Sequence, residues 1–172
     1  MKKVYILLTY TGTMLSRVIK IYTRDQFSHV SISLDKNLDK LYSFGRKNPY
    51  NPFIGGFVHE GLKHGTFKRF KKTKSLLYSI EVTDEEYEKI EKTIKKVDKN
   101  KSKYHFNVLG LLYVIFKKKR RKKDYFYCAE FIKYILDESG HRNNLPEIIK
   151  PDDFLNIDNK RIEYKGLLRE YM

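Results

Sequence analysis

Tryptophan is absent from this chain, cysteine occurs once, and proline occurs four times in 172 residues. A single cysteine forms no internal disulfide, so a reducing compartment is expected, and the cytoplasm is the simplest. Long apolar runs are also missing. The longest, in KYHFNVLGLLYVIF, has about eleven residues, against the ~18 that a membrane span requires. The start, MKKVYILLTYTGTMLSRVIK, is basic but continues into only a short apolar run with no A-x-A-like cleavage site, so no signal peptide is expected. There is no internal repeat and no Pro/Ser-rich linker, and the length predicts a single domain over residues 1–172.

Acidic residues are in deficit. Asp and Glu total 21 against 36 Lys and Arg, a formal net charge of +15. Such an excess attracts anions (nucleic acid, phospholipid headgroups or an acidic polymer) without choosing among them. The same excess serves equally as a solubilising surface.

What is present is a soluble globular composition, 41% hydrophobic and 33% charged. Fourteen Tyr and eleven Phe can supply much of the core area. KVYILLTY reads as a buried strand. TGTMLSRVIKIYT reads as a helix capped by Thr11 or Thr13, with Met14, Leu15, Val18, Ile19 and Tyr22 as its apolar positions. In FSHVSISLDKNLDKLYSFG, Val30, Ile32 and Leu34 alternate with His29, Ser31 and Ser33, the pattern of a hairpin with one polar face. Residues 46–65, broken by prolines and glycines, read as a long loop of the kind that borders binding clefts. TFKRF and SLLYSIEV are expected strands. TDEEYEKIEKTIKKVDKN is a helix with Thr83 and Glu86 as a capping box. The apolar run near residue 110 is expected to be a buried helix ahead of a basic block. YFYCAEFIKYILDESG reads as a last helix closed by Gly140. PDDF reads as a turn and RIEYKGLL as a final strand.

The lone cysteine, Cys128, falls in the first turn of that last helix, on the side of the apolar residues Phe131 and Ile132. Two readings stand together. Free cysteine is among the most buried residue types, which makes it packing. A helix N-terminus also offers positive potential and unpaired N–H groups, which favour a thiolate and can hold an oxyanion. A nucleophile needs a partner, and His29, on a strand's polar face, is the candidate. The other four histidines are less well placed, and no spacing with Cys128 suits a metal; neither metal nor cofactor is expected. For the group that orients the imidazole, Ser43 on the return strand falls on the His29 side. Glu60, in the long loop, is the alternative acid, and Glu130 is expected to point away around the helix.

FSHVSISLD on one strand, LYSFG on its partner and a late YFYCAEFIKYIL helix, in that order, resemble the circularly permuted NlpC-type papain-like superfamily, in particular its YiiX-like bacterial branch. The resemblance covers roughly residues 3 to 140. It implies an α+β papain-like fold, a small antiparallel sheet or barrel packed against helices. It further implies Cys128 as nucleophile and His29 as general base, with the third position falling on Ser43 or its neighbour Tyr42.

The expected activity is that of a cysteine hydrolase or acyltransferase acting through an acyl-enzyme on a peptide, amide or lipid-ester bond. The alternative is a non-catalytic basic module of the same fold. In it, FKKKRRKK (116–123) would dock on an anionic membrane or polymer surface, with the preceding apolar run inserting shallowly. Nucleic acid ranks last as a partner, because basic and aromatic residues interleave but no named binding motif is present.

Overall fold

The computed structural model describes residues 1–13, 16–17, 20–21, 24–48, 51–107 and 123–171. Its centre is a six-stranded sheet in the order β4-β3-β2-β1-β5-β8, antiparallel at every pairing. The strands are β1 (Lys2–Tyr10), β2 (His29–Ser33), β3 (Leu41–Asn48), β4 (Asn51–Glu60), β5 (Lys74–Val82) and β8 (Arg161–Leu167). Two short strands, β6 (His105–Phe106) and β7 (Tyr125–Phe126), pair in parallel beside it. Among the described residues, the continuous α-helices are α1 (Gly65–Arg69), α2 (Asp84–Lys99) and α3 (Cys128–Ser139). The protein is thus mixed α+β, with helices covering an antiparallel sheet.

Period-two alternation explains the division of the core. Val4, Ile6 and Leu8 of β1, Val30 and Ile32 of β2, Phe44 of β3 and Tyr78 and Ile80 of β5 join the buried faces of α2 and α3 in one large cluster. Leu7, Leu41 and Leu77 point the other way and pack with Phe67 of α1 and Leu168. β1 and β5, buried on both faces, are therefore almost continuously apolar, as central strands should be.

Helix α2 begins as its sequence dictates. Thr83 Oγ1 accepts from Glu86 N at 3.1 Å, and Glu86 Oε2 accepts from Thr83 N at 2.7 Å. Helix α3 buries Phe131, Ile132, Ile135 and Leu136 and ends at Gly140, whose φ of +81° suits a residue without a Cβ. Phe131 anchors it, with ring centroids 4.9 Å from Phe44 and 5.6 Å from Phe57. This seats the helix across β2 and β3.

Three expectations meet the structure differently. Residues 51–60 are not loop but strand β4, paired with β3 from Leu41↔Glu60 to Asn48↔Asn51. Its Pro52, Gly55 and Gly56 are tolerated because β4 is the edge strand, with hydrogen bonds needed on one side only. TFKRF is not a strand; Gly65–Arg69 is helical, with Phe67 buried. PDDF opens a 3₁₀ turn, Pro151–Asn156, rather than a simple turn. After β1, Ser16, Arg17, Lys20 and Ile21 are helical, and Thr13 Oγ1 accepts from Ser16 N at 3.3 Å. The apolar positions Met14, Leu15, Val18, Ile19 and Tyr22 lie outside the described residues. So do most of the expected buried helix and all but Lys123 of the basic run 116–123. Among the described residues, no helix is long and apolar enough to cross a membrane.

Candidate active site

Each side chain of the site is delivered by a separate piece of the fold. His29 is the first residue of β2, opposite Thr9 of β1. The chain leading into it is clasped from the far end of the molecule. Asp152 accepts from Gln26 N at 2.6 Å and from Phe27 N at 2.8 Å, and Lys150 reaches Asp25 at 2.5 Å. Ser28 N then donates to Thr9 O at 3.0 Å. Four ties in succession hold the backbone just before the imidazole.

Cys128 opens α3. The preceding strand β7 is pinned to β6, and Tyr127 donates its hydroxyl to Ile149 O at 2.6 Å. A helix start leaves its first-turn N–H groups without partners inside the helix, and Cys128 stands there. Glu130 turns back to accept from Tyr127 N and Asn107 Nδ2, each at 3.2 Å, so it does point away from the thiol. Cys128 is 5% exposed and belongs to the main core cluster. It also lines a cleft of about 70 Å³ together with His29, Gly45, Arg46 and Glu60. The cysteine is thus part of the core and at the same time part of the cleft lining.

The histidine is engaged on two sides. Nε2 lies 2.8 Å from Glu60 Oε1, with the two side chains 19% and 13% exposed. The other carboxylate oxygen, Oε2, accepts from Ser31 Oγ. Cys128 lines the same cleft as the ring. With Nε2 occupied by Glu60, Nδ1 is the nitrogen left for the thiol. Burial alone would lower the imidazole pKa. The Glu60 carboxylate and the Cys128 sulfur outweigh it and push the ring up to about 10. The imidazole is thus held as its cation at neutral pH.

The third position differs from the expectation. Ser43 does lie on the polar side of β3, but its hydroxyl donates to Val30 O at 2.7 Å, satisfying a backbone carbonyl instead of the imidazole. Tyr42 faces the other way, stacked on Phe57 and edge-on to His59. Glu60 sits on His29. Once residues 51–60 are a strand, the reason is simple: Glu60 pairs with Leu41, so period two puts its side chain on the face of Ser31, Ser33 and His29. The alternation in GFVHE carried that signal, hidden by the neighbouring prolines and glycines. Gly45 also escaped notice. A Cβ there would lie 3.3 Å from His29 Cε1, a tight contact, and 3.6 Å from Glu60 Oε1, an ordinary one, so a larger residue would crowd the ring.

The remaining histidines do not line the cleft of Cys128 and His29, although His59 and His64 line its neighbour. His59 pairs with Asp98 at 3.1 Å and His141 with Glu86 at 3.3 Å. His105 packs against Tyr125, and His64 lies beside Gly61. Among the described residues, no group of three or more His, Cys, Asp or Glu is arranged to hold a metal ion. The sequence matches no family model and no curated protein.

Proposed function

We propose that the protein is a thiol hydrolase or acyltransferase of the permuted papain-like type. Cys128 is its nucleophile, His29 its proton carrier, and Glu60 the group that orients and charges the imidazole. One observation carries this reading: a mostly buried histidine paired with a carboxylate, lining one cleft together with the only cysteine. Packing alone gives no reason to bury a cation there. A helix-start thiolate beside an imidazolium gives one.

The chemistry follows from the charge state. The thiolate attacks a carbonyl carbon, forming an S–C bond and moving the carbonyl electron pair onto oxygen. The Cys128 N–H at the start of α3 faces that oxyanion. His29 Nδ1–H then gives its proton to the leaving amine or alkoxide as the C–N or C–O bond breaks. The thioester leaves a neutral ring, now without the thiolate that helped keep it charged. Neutral Nδ1 takes a proton from water, or from an acceptor hydroxyl or amine, which attacks the thioester. The S–C bond breaks, and the thiolate–imidazolium pair is restored. Glu60 holds Nε2–H through both halves, fixing the ring's orientation. The scissile bond is an amide, peptide or ester.

The test is trapping with p-nitrophenyl acetate. The expected result is a burst of p-nitrophenol and an acetyl group on Cys128 by intact mass, absent in Cys128→Ala and slowed at least about 100-fold in His29→Ala. Equal bursts from wild type and Cys128→Ala would remove the reading.

A further inference from the structure

The cleft holding Cys128 and His29 has a neighbour of about 160 Å³, and the two share a wall: Arg46, Glu60, Thr66 and Phe67. This shared wall carries one guanidinium and one carboxylate. The guanidinium of Arg46 lies over the Phe70 ring, 5.7 Å from its centroid, and that of Arg69 lies 5.4 Å from the same centroid. Lys47 lines the second cleft, its stem laid across Gly56.

The carboxylate on this wall is Glu60, and both its oxygens are already engaged, one by His29 and one by Ser31. Among the described residues, Arg46 makes no ion pair. Burial and the neighbouring Arg69 both disfavour its charge, with only Glu60 opposing them. A half-buried guanidinium crowded by a second one is costly to the empty protein and is relieved when an anion arrives. Its planar fork matches a planar carboxylate, offering two parallel N–H donors.

We propose that Arg46 is the specificity-determining residue of the cleft, binding a carboxylate on the acyl substrate that Cys128 attacks. This rests on the nucleophile reading above and adds the substrate's chemical class: a carboxylate lying close to the scissile carbonyl. Lys47 and Arg69 lend it positive potential, and Arg46 makes the contact.

Two small alkylating agents test this without knowledge of the natural substrate. Iodoacetate and iodoacetamide react alike: the thiolate attacks the methylene carbon, an S–C bond forms, and iodide leaves with the electron pair of the C–I bond. They differ in carrying a carboxylate or a neutral amide. With one cysteine in the chain, alkylation reads Cys128 alone. The quantity measured is the iodoacetate-to-iodoacetamide rate ratio at pH 7, in which any change in the thiolate itself cancels.

The ratio is expected to fall at least about fivefold in Arg46→Gln, the loss of a charged hydrogen bond. It should hold in Lys92→Gln, an exposed position on α2 outside both clefts that removes the same charge. Arg46→Lys keeps the charge without the fork and should fall between. A ratio unchanged in both Arg46 variants, or lowered equally by Lys92→Gln, overturns the proposal and leaves the nucleophile reading intact. If Cys128 reacts with iodoacetamide at pH 6 no faster than free cysteine does, the nucleophile reading and this proposal fall together.

Discussion

Replacing Glu60 with Gln separates charge from shape at the centre of the site. The amide oxygen still accepts from His29 Nε2–H, 2.8 Å away in the wild type, so the ring keeps its orientation. What is lost is a negative charge in contact with an imidazolium. Two unit charges about 4 Å apart at an effective dielectric of about 20 interact by about 4 kcal/mol, equivalent to roughly three pH units. Burial then acts against only the Cys128 sulfur, and the ring should drop from about 10 to roughly 7 or below. The assay is a pH titration of the ring nitrogens by ¹H–¹⁵N correlation NMR, with His29 assigned by comparison with His29→Gln. Because Cys128 also contributes to the His29 value, a Cys128→Ala control is needed. It too should lower the midpoint, since both Cys128 contributions raise it. A wild-type His29 that titrates near ~6.5, or a midpoint unmoved by Glu60→Gln, would refute the claim that Glu60 keeps the imidazole charged.

Gly45→Ala places a methyl 3.3 Å from His29 Cε1; turnover or Cys128 alkylation should fall about tenfold while the thermal midpoint moves little. Ser43→Ala should cost about 1 kcal/mol in urea unfolding, through the lost bond to Val30 O, and leave the His29 titration unchanged; a changed titration would return Ser43 to the site. Asp152→Ala removes both acceptors from the chain entering β2 and should destabilise by about 2 kcal/mol, with loss of alkylation as the clasp loosens. Stability itself should depend on pH. The folded ring is held at about 10 against an unfolded value near ~6.5. The His29 contribution, at most about 5 kcal/mol, is therefore complete below pH ~6.5 and lost as pH rises toward ~10. Urea midpoints across that window should fall in the wild type and flatten in Glu60→Gln.

Most regular elements are legible in the chain because their causes are local. The alternation of β2, the apolar runs of β1 and β5, the Thr83–Glu86 box and the Gly140 stop each lie within a few residues of what they determine. The same local signals mark Cys128 as a helix-start thiol and His29 as a residue on a polar strand face. β4 misleads because Pro52, Gly55 and Gly56 break any period; only its place at the sheet edge, a tertiary fact, makes them harmless. Five-residue α1 misleads because so short a segment shows little period beyond the i, i+3 spacing of Phe67 and Phe70, and burial of Phe67 against the second core decides.

The residue types and their periodicity thus determined a mixed α+β chain carrying one thiol and one well-placed imidazole. Which carboxylate meets that imidazole was decided by tertiary structure alone. Pairing of β4 with β3 brings Glu60 to a histidine 31 positions away, and Phe131 packed on Phe44 and Phe57 sets the Cys128 end of α3 over the same cleft. Local preference cannot encode such meetings, because their energy appears only once strands from distant parts of the chain have closed into one sheet.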